Sequence, residues 1–272
     1  MSQGVLIAFL VLSGVGIALH MALPRLLAWR GVWFTWHTQF GPALVFDSAD
    51  ADGVTVRLLN VRGTYQSVCY VDEDLLWVPV CEYHRTWADV VRKTWDKTNR
   101  QKEPMRRALV MGGGGCSFPK WLVAYRPDFV CEVAEIDPAI IRIARERFFV
   151  DELERRFDVA HTKRLSLCEA DAWDYLESDT QGYDLIVNDA FSGNRPLGRL
   201  GTLEGAREIR SHLREGGVYV GNVRTPLEGR GARVLEDTRG AFEQEFSHVR
   251  IVPERPEEPR KIGNNALIAW NS

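Results

Sequence analysis

The chain has 272 residues, of which 45% are hydrophobic and 26% are charged, and its formal net charge is -3. This size and apolar content predict one large folded core with an appendage and exclude a disordered chain. The weakly acidic charge provides no broad basic surface, so no nucleic-acid partner is predicted. The chain has five widely spaced cysteines, Cys69, Cys81, Cys116, Cys131 and Cys168. They show neither the spacing of zinc ligands nor a framework of disulfide pairs, so we predict no metal site and favour a reducing compartment.

An apolar segment lies near the start of the chain, where residues 4–23 contain no charged side chain. An α-helix needs about 20 such residues to cross a bilayer. Trp29, Trp33 and Trp36 follow at spacings of four and three, which would place their indoles on one helical face at the headgroup level. Two arginines on the same flank favour a cytoplasmic location for the rest of the chain. We therefore predict a single-pass membrane anchor over residues 1–30, with a cleaved signal peptide and a buried core helix as alternatives.

A small β domain is predicted next. Four runs rich in β-branched and aromatic residues, VFDS, VTVRLLNV, TYQSVCYVD and LLWVPV, are separated by turn clusters between residue 41 and about residue 87. Residues 82–102 are more polar, and their tryptophans and valines recur at helical spacing, which predicts a helix. We place the domain boundary near Glu103, so that residues 31–102 form a substrate-side domain and residues 103–272 form the catalytic domain.

Strands and helices alternate beyond this boundary, which predicts an α/β domain with a doubly wound, mostly parallel sheet. Its first strand, ALVM, runs into the glycines of residues 112–115 and is followed by a helix and a second strand that closes on Glu135. Glycines let the backbone approach a ligand, and an acid after the second strand can accept both ribose hydroxyls. Gly112 and Gly114 fit the dinucleotide fingerprint, but Ser117 occupies its third position. A nucleoside pocket is therefore favoured, and NAD is the second choice.

The later elements continue the alternation. A helix should begin at Pro138 with Asp137 as its cap, and helices are predicted over residues 202–213 and 234–246. The runs RLSLCEAD, YDLIVNDA, GGVYVGNV, VRIV and ALIAW are predicted strands, and the segment FSGNRPLGRLG is a loop long enough to cover a site.

Three successive strands of this predicted sheet carry an acid at or just beyond their ends, namely Glu135, Asp171 and Asp189. A single acid after a strand is more often a helix cap or a turn residue than a ligand contact. Because open α/β sheets bind ligands beyond the carboxyl ends of their strands, three acids in register together with the glycine turn indicate a functional site.

The motifs ALVMGGGG, VAEIDP, EADAWDYL and YDLIVNDAFSG resemble those of the spermidine synthases, the polyamine aminopropyltransferases built on the S-adenosylmethionine methyltransferase fold. Upstream, TYQS and EYHRTW resemble two further elements of that family. The resemblance extends from about Trp33 to the end of the chain. It implies a methyltransferase-like, Rossmann-like sheet preceded by a small β domain. It also implies a transferase that moves an aminopropyl group from decarboxylated S-adenosylmethionine to a polyamine acceptor, with dimers common in the family.

The resemblance also implies a role for individual residues. Residues of the glycine turn and of three neighbouring segments would bind the donor nucleoside: Gln66, Gly112, Gly113, Gly114, Glu135, Asp171 and Ala172. Among them, Glu135 would bind the ribose hydroxyls, and Asp171 with Ala172 would contact the adenine. Asp189 occupies the position of the catalytic acid that helps to take the proton from the attacking amine.

On the acceptor side, the resemblance implies that Tyr83 and His84 line the amine pocket. Three positions depart from the family pattern. Gly115, followed by Cys116, stands where the family has an aspartate that holds the donor's aminopropyl amine; DAFSG replaces DSSDP; and Arg85 replaces a glutamate.

Two alternatives stay open because of these departures. Without a carboxylate at Gly115, ordinary S-adenosylmethionine also fits, since free backbone amides tolerate the donor's carboxylate, and the protein would then be a methyltransferase. The second alternative is a non-catalytic, membrane-tethered module that binds a nucleoside, since a fold alone does not determine a function.

Overall fold

The computed structural model describes residues 21–95, 105–192 and 195–271. Within these residues a four-stranded antiparallel sheet precedes a mixed domain with a seven-stranded, mostly parallel sheet. The predicted α/β class and the small β sheet ahead of it are therefore confirmed. The predicted boundary near Glu103 lies outside the described residues.

The small sheet has the strand order β1-β2-β3-β4. Its strands are β1 (Trp33–Thr38), β2 (Gly41–Ala49), β3 (Thr55–Val61) and β4 (Thr64–Tyr70). Alternate residues on one face are buried, because side chains of a strand alternate between the two faces of its sheet. This face, which includes Val45 and Leu59, packs against Ile140, Ile143 and Phe148 of the larger domain. This packing holds the small sheet against the larger domain.

The start of the described chain differs from the prediction. The described part of helix α1 covers residues 21–29, and the next strand begins at Trp33. Trp29, Trp33 and Trp36 therefore share no helical face. Gly31, at φ 75°, lies in the turn that ends α1, and pairing of Trp33 with Val45 of β2 then holds an extended backbone. Trp29 is 84% exposed on α1, whereas Trp33 packs against the core with the Arg147 guanidinium 5.4 Å from its ring.

The membrane prediction concerns residues that are mostly not described. No helix within residues 21–95, 105–192 and 195–271 combines the length and the apolar character that crossing a membrane requires. The predicted span over residues 4–23 lies outside these residues except for its last three positions. It stays a prediction.

The prediction of a strand over residues 75–80 was wrong. The run LLWVPV, residues 75–80, forms a turn followed by irregular chain rather than a strand. Leu76 and Trp77 are nevertheless buried in the main core, where the Trp77 ring contacts that of Phe157 at a centroid distance of 5.9 Å. The apolar composition of this run therefore reflects burial and not strand pairing, which a short apolar run alone does not distinguish.

The large sheet has the order β12-β13-β11-β8-β5-β6-β7. Its strands are β5 (Arg106–Met111), β6 (Phe129–Glu135), β7 (Leu165–Glu169), β8 (Tyr183–Asn188), β11 (Leu213–Thr225), β12 (His248–Val252) and β13 (Gly263–Trp270). All neighbours pair parallel except β11 with β13 and β12 with β13. The chain proceeds from β5 to β6 and β7 on one side and returns through β8 and β11 on the other. The strand order thus reverses beside β5, where such sheets bind ligands.

Helices cover both faces of this sheet. They are α2 (Glu82–Trp95), α3 (Ser117–Tyr125), α4 (Pro138–Arg147), α5 (Val150–Arg156), α6 (Val159–Thr162), α7 (Ala172–Ser178), α8 (Leu203–Ser211) and α9 (Arg233–Glu243). The alternation of β5 separates the two layers: Ala108 and Val110 belong to the core under α2 and α3, whereas Leu109 and Met111 belong to the core under α7, α8 and α9. A short ribbon of β9 (Phe191–Ser192) and β10 (Arg195–Pro196) follows β8.

The predicted start of α4 is confirmed at the atomic level. Asp137 is its N-cap and accepts a hydrogen bond from the Ala139 amide at 2.9 Å, while Pro138 is the first helical residue. Helix α8 is shorter than predicted, since it ends at Ser211 and Leu213 already belongs to β11.

Candidate active site

The glycine turn connects β5 to α3 at the carboxyl end of the sheet. Gly112 has φ 87°, and a Cβ atom added there would lie 2.9 Å from the carbonyl oxygen of Asp189. Asp189 in turn donates its amide to the Met111 carbonyl at 2.9 Å. The backbone of the turn therefore lies against the end of β8, an approach that only glycine allows without strain.

Glu135, the last residue of β6, folds its carboxylate onto this turn. Its Oε2 accepts hydrogen bonds from the Gly113 amide at 2.9 Å and from the Gly114 amide at 3.2 Å, and its Oε1 accepts one from the Asp137 amide at 3.1 Å. Burial raises the pKa of Glu135, and the three backbone donors oppose that rise. The carboxylate is thus held in one orientation beside the glycines, where an acid of this kind accepts ribose hydroxyls.

These hydrogen bonds also determine whether the amides of the turn are free to bind a carboxylate of the donor. The amides of Gly113 and Gly114 already donate to Glu135, and the Cys116 amide donates to the Gly113 carbonyl at 2.8 Å. These three groups have partners within the protein. A carboxylate-bearing donor would have to displace them, which weakens the argument for ordinary S-adenosylmethionine.

Gly115 has no room for a side chain. A Cβ atom added there would lie 2.5 Å from Cδ1 of Phe148 and 2.7 Å from Oγ of Ser67. The aspartate found at this position in the resembled family would therefore collide with the small sheet and with the residue after α4. The adjacent Cys116 is buried, and burial raises the pKa of its thiol to about 12. Cys116 is thus a packed neutral thiol rather than a nucleophile.

Asp189 follows β8 and lies next to the aromatic residues of α2. Its Oδ2 accepts a hydrogen bond from the Tyr83 hydroxyl at 3.0 Å and lies 3.3 Å from Nε2 of His84. Its Oδ1 accepts a hydrogen bond from Nδ2 of Asn222 at 2.9 Å. The structure therefore brings together three residues that the resemblance assigned to the reaction and to the acceptor, across more than 100 positions of sequence. Asn222, a polar residue inside the buried strand β11, was missed.

Aromatic rings form a wall beside Asp189. The ring centroids of Tyr83 and His84 are 4.1 Å apart, those of Tyr83 and Trp87 are 4.9 Å apart, and Phe118 contacts Trp87 at 5.5 Å. Burial, together with the nearby Asp189 carboxylate, raises the pKa of Tyr83 well above its usual value. Tyr83 is therefore a neutral hydrogen-bond donor at neutral pH, and it and His84 are the rings of the wall that lie against the Asp189 carboxylate.

Arg85 does not point toward this wall. Its Nε donates to the Pro79 carbonyl at 3.0 Å, and its Nη2 donates to the Tyr70 hydroxyl at 3.2 Å. The replacement of the family's glutamate by arginine therefore places no positive charge against Asp189.

The two residues predicted at the adenine lie at the start of α7. Asp171 is the N-cap, and its Oδ1 accepts hydrogen bonds from the amides of Trp173 at 2.8 Å and Asp174 at 3.3 Å. Ala172 is the first helical residue and is partly buried. Asp171 thus has a structural role as a cap, and its contact with adenine stays a prediction. Gln66 of β4 is exposed, and its carbonyl oxygen would lie 3.3 Å from a Cβ atom at Gly114.

No group of three or more potential metal ligands occurs in the part of the chain that the structure describes.

No protein-family model matches the sequence. A polyamine aminopropyltransferase of Neisseria meningitidis is 29% identical over 162 residues, which are 60% of this chain and 55% of that protein. A polyamine aminopropyltransferase of Vibrio vulnificus is 33% identical over 153 residues, 53% of this chain and 48% of that protein. The chain thus spans about half the length of the curated relatives that it matches.

Solved structures resemble the fold over a larger part of the chain. A probable spermidine synthase from Corynebacterium glutamicum has a TM-score of 0.67 at 21% identity and covers 89% of this chain and 80% of its own. Spermidine synthase from Thermotoga maritima has a TM-score of 0.60 at 17% identity, and the match covers 89% of this chain and 73% of that structure's chain. Human methyltransferase-like protein 13 in complex with SAH has a TM-score of 0.53 at 20% identity, and the match covers 71% of this chain and 83% of that structure's chain. These likenesses show a methyltransferase-like fold.

Proposed function

We propose that this chain transfers an aminopropyl group to an amine, because it is similar in sequence to polyamine aminopropyltransferases and shares its fold with spermidine synthases. The donor would be a sulfonium nucleoside, decarboxylated S-adenosylmethionine. The observation that carries the proposal is the position of Asp189, which lies between the glycine turn and the pair Tyr83 and His84.

The donor side of the site is formed by the turn and Glu135. The Glu135 carboxylate, already oriented by the Gly113 and Gly114 amides, accepts the ribose hydroxyls, while Asp171 and Ala172 at the start of α7 face the adenine. This arrangement directs the sulfonium toward the end of β8, because the nucleoside lies along the carboxyl edge of β5, β6 and β7.

The acceptor side is formed by Asp189 and the aromatic wall. The acceptor arrives as an ammonium, and Asp189 accepts its proton to leave a nitrogen lone pair. That lone pair attacks the aminopropyl carbon, the carbon–sulfur bond breaks, and its electron pair remains on sulfur, so that a neutral thioether nucleoside leaves. Tyr83 and Asn222 hold the Asp189 carboxylate through one oxygen each. The held carboxylate reduces the reorganisation that proton transfer requires.

The donor can be identified by comparing two nucleosides on the full-length protein. Decarboxylated S-adenosylmethionine should bind at least about tenfold more tightly than S-adenosylmethionine, because the additional carboxylate finds turn amides that already have partners. Isothermal titration gives both affinities, and mass spectrometry of reactions with an amine panel identifies the transferred group. Tighter binding of S-adenosylmethionine together with a methylated product would refute aminopropyl transfer and favour the methyltransferase alternative.

We also propose that residues 4–23 anchor the protein in a membrane, with the remaining chain in the cytoplasm. The proposal rests on the uncharged apolar run, on the two arginines that follow it and on the absence of a cysteine framework in the sequence. Full-length protein in a bacterial host should stay in the membrane fraction after carbonate washing, and a variant lacking residues 2–20 should be released. A C-terminal alkaline phosphatase fusion should be inactive. Recovery of the full-length protein in the soluble fraction would contradict the anchor, and an active fusion would contradict the cytoplasmic location of the remaining chain.

A further inference from the structure

The residue before Asp189 is a fully buried asparagine. Asn188 ends β8 and is 0% exposed. Its Oδ1 accepts a hydrogen bond from the Ala190 amide at 3.1 Å, so that its side chain connects the residue before Asp189 to the residue after it. Asparagine forms such turns readily, because its side-chain oxygen reaches the backbone amide two residues on. No function was predicted for Asn188 from the sequence.

The peptide that joins Asp189 to Ala190 is held closely on several sides. The Ala190 carbonyl accepts a hydrogen bond from the Leu197 amide at 3.0 Å. A Cβ atom added at Gly112 would lie 2.9 Å from the Ala190 amide nitrogen, so the glycine turn covers this peptide directly. Oδ1 of Asn188 is the acceptor that the structure gives to that amide. Without it, a backbone donor pressed against the glycine turn would lose its partner.

Asn188 and the Asp189 carboxylate lie on opposite faces of the sheet. Ile186 belongs to the core under α7, α8 and α9, and Asn188, two residues later in the same strand, lies on that face. The Asp189 carboxylate lies on the other face, where it accepts the hydrogen bond from Tyr83 of α2. Asn188 therefore acts on the peptide of Asp189 from the side of the sheet that faces away from the acceptor residues.

A tyrosine of the neighbouring strand lies beside the Asn188 amide. Tyr219 of β11 is 0% exposed, and its hydroxyl oxygen would be 2.5 Å from a Cβ atom added at Gly221. Gly221 pairs with Asn188 across β8 and β11, so the absent side chain leaves room for the hydroxyl next to Asn188. Burial raises the pKa of Tyr219, and the contact with the Asn188 side chain opposes that rise. This effect is the one expected of an N–H group directed at the hydroxyl oxygen.

The tyrosine hydroxyl determines which end of the Asn188 amide meets Ala190. With Nδ2 directed at Tyr219, Oδ1 faces the Ala190 amide, whereas the reversed amide would set a donor against a donor. Neither Nδ2 of Asn188 nor the Tyr219 hydroxyl makes a hydrogen bond of standard geometry to a residue that the structure describes. Removal of the hydroxyl therefore breaks no strong hydrogen bond, although it removes the group that orients the amide.

We propose that Asn188 is a positioning residue for Asp189, because its Oδ1 fixes the peptide that carries the Asp189 carboxylate and Tyr219 sets the orientation of its amide. The inference rests on the proposed aminopropyl transfer, to which it adds a determinant on the opposite face of the sheet. Because Asn188 is fully buried, it contacts neither substrate. Its replacement should therefore lower kcat and leave donor affinity and the KM for the amine unchanged.

The test measures turnover of the full-length wild type and of three variants. Asn188→Leu keeps a side chain of similar size without an acceptor and should lower kcat about ten- to a hundredfold, because Asp189 is misplaced. Asn188→Thr should retain most of the activity, since a threonine hydroxyl can accept the same amide hydrogen bond more weakly. Tyr219→Phe should lower kcat by a smaller factor without lowering the melting temperature.

A double-mutant cycle separates positioning from a general structural effect. If Asn188 acts through Asp189, Asn188→Leu should not lower kcat further in a protein that already carries Asp189→Asn. Asn265→Leu is the matched control, since Asn265 is also a buried asparagine and donates to the backbone carbonyls of Val223 and Thr225. The control should lower the melting temperature and leave kcat unchanged.

Hydrogen exchange at the Ala190 amide supplies a measurement that needs no substrate. Exchange should be slow in the wild type and in Asn188→Thr, and about tenfold faster or more in Asn188→Leu, because the amide loses its acceptor. If Asn188→Leu does not fold, Asn188→Ala replaces it, since alanine also lacks the acceptor.

Three results would overturn the inference: a wild-type kcat in the variant without the acceptor, an equal loss of kcat in the Asp189→Asn background, or unchanged exchange at Ala190. A loss of kcat in Asn265→Leu as large as that in Asn188→Leu would count against it in the same way. The proposed reaction fails differently, through a wild-type protein that transfers nothing from either donor while exchange at Ala190 still depends on Asn188.

Discussion

Replacing Asp189 by asparagine is expected to lower kcat for aminopropyl transfer about a thousandfold, because the variant cannot accept the proton of the attacking ammonium. Asparagine keeps the size of the side chain and can still accept a hydrogen bond from Tyr83, so that the site should keep its shape. Donor affinity should change little, since the ribose contacts belong to Glu135. Steady-state kinetics with saturating donor and amine measure kcat, and calorimetry measures donor binding.

The matched control is Asp237→Asn, since Asp237 is an exposed acid of α9 that pairs with Arg233 at 3.6 Å. It should leave kcat and donor binding unchanged. If Asp189→Asn leaves kcat unchanged, Asp189 is not the base that accepts the proton of the attacking amine. An absence of transfer in the wild-type protein, with nucleoside binding intact, would instead favour the non-catalytic module.

Placing alanine at Gly115 should destabilise the fold by about 1–3 kcal/mol, because the added Cβ overpacks the turn. The contacts that cause this are Cδ1 of Phe148 at 2.5 Å and Oγ of Ser67 at 2.7 Å. Phe148 is fully buried between the small sheet and α4, so that it cannot move aside without disturbing that core. Urea unfolding followed by circular dichroism gives the change in the free energy of unfolding.

Gly240→Ala provides the comparison, since Gly240 lies in α9 and a Cβ atom there meets nothing within 4 Å. That variant should be neutral or up to about 1 kcal/mol more stable, because alanine favours a helix over glycine. Gly115→Asp should be at least as destabilised as Gly115→Ala and should not tighten binding of the decarboxylated donor. A stable Gly115→Asp protein with higher donor affinity would show that the turn can hold the family's aspartate.

The elements near the glycine turn were predictable because local chemistry specifies them. An apolar run that meets consecutive glycines and a later acid allows few conformations, and β5, the turn, α3 and β6 follow that order. Asp137 and Pro138 specify the start of α4 in the same local way, through a side-chain cap and a fixed φ angle.

The wrong predictions concern segments whose apolar residues suit more than one structure. Residues 75–80 have the composition of a strand but supply Leu76 and Trp77 to the core from turns. Trp33 has helical spacing from Trp29, yet β2 offers it a backbone partner, and this long-range pairing determines its conformation. Local composition contains no information about such partners.

The sequence by itself determined the fold class, the glycine turn and the acids Glu135 and Asp189, because short-range patterns and strand ends specify them. Only the tertiary structure decided what surrounds those acids. Arg85 donates its hydrogen bonds away from the site, Phe148 and Ser67 fill the space at Gly115, and Asn222 lies beside Asp189. These contacts join segments far apart in the chain, and they depend on the order in which β8, β11 and β13 pair, which no local pattern encodes.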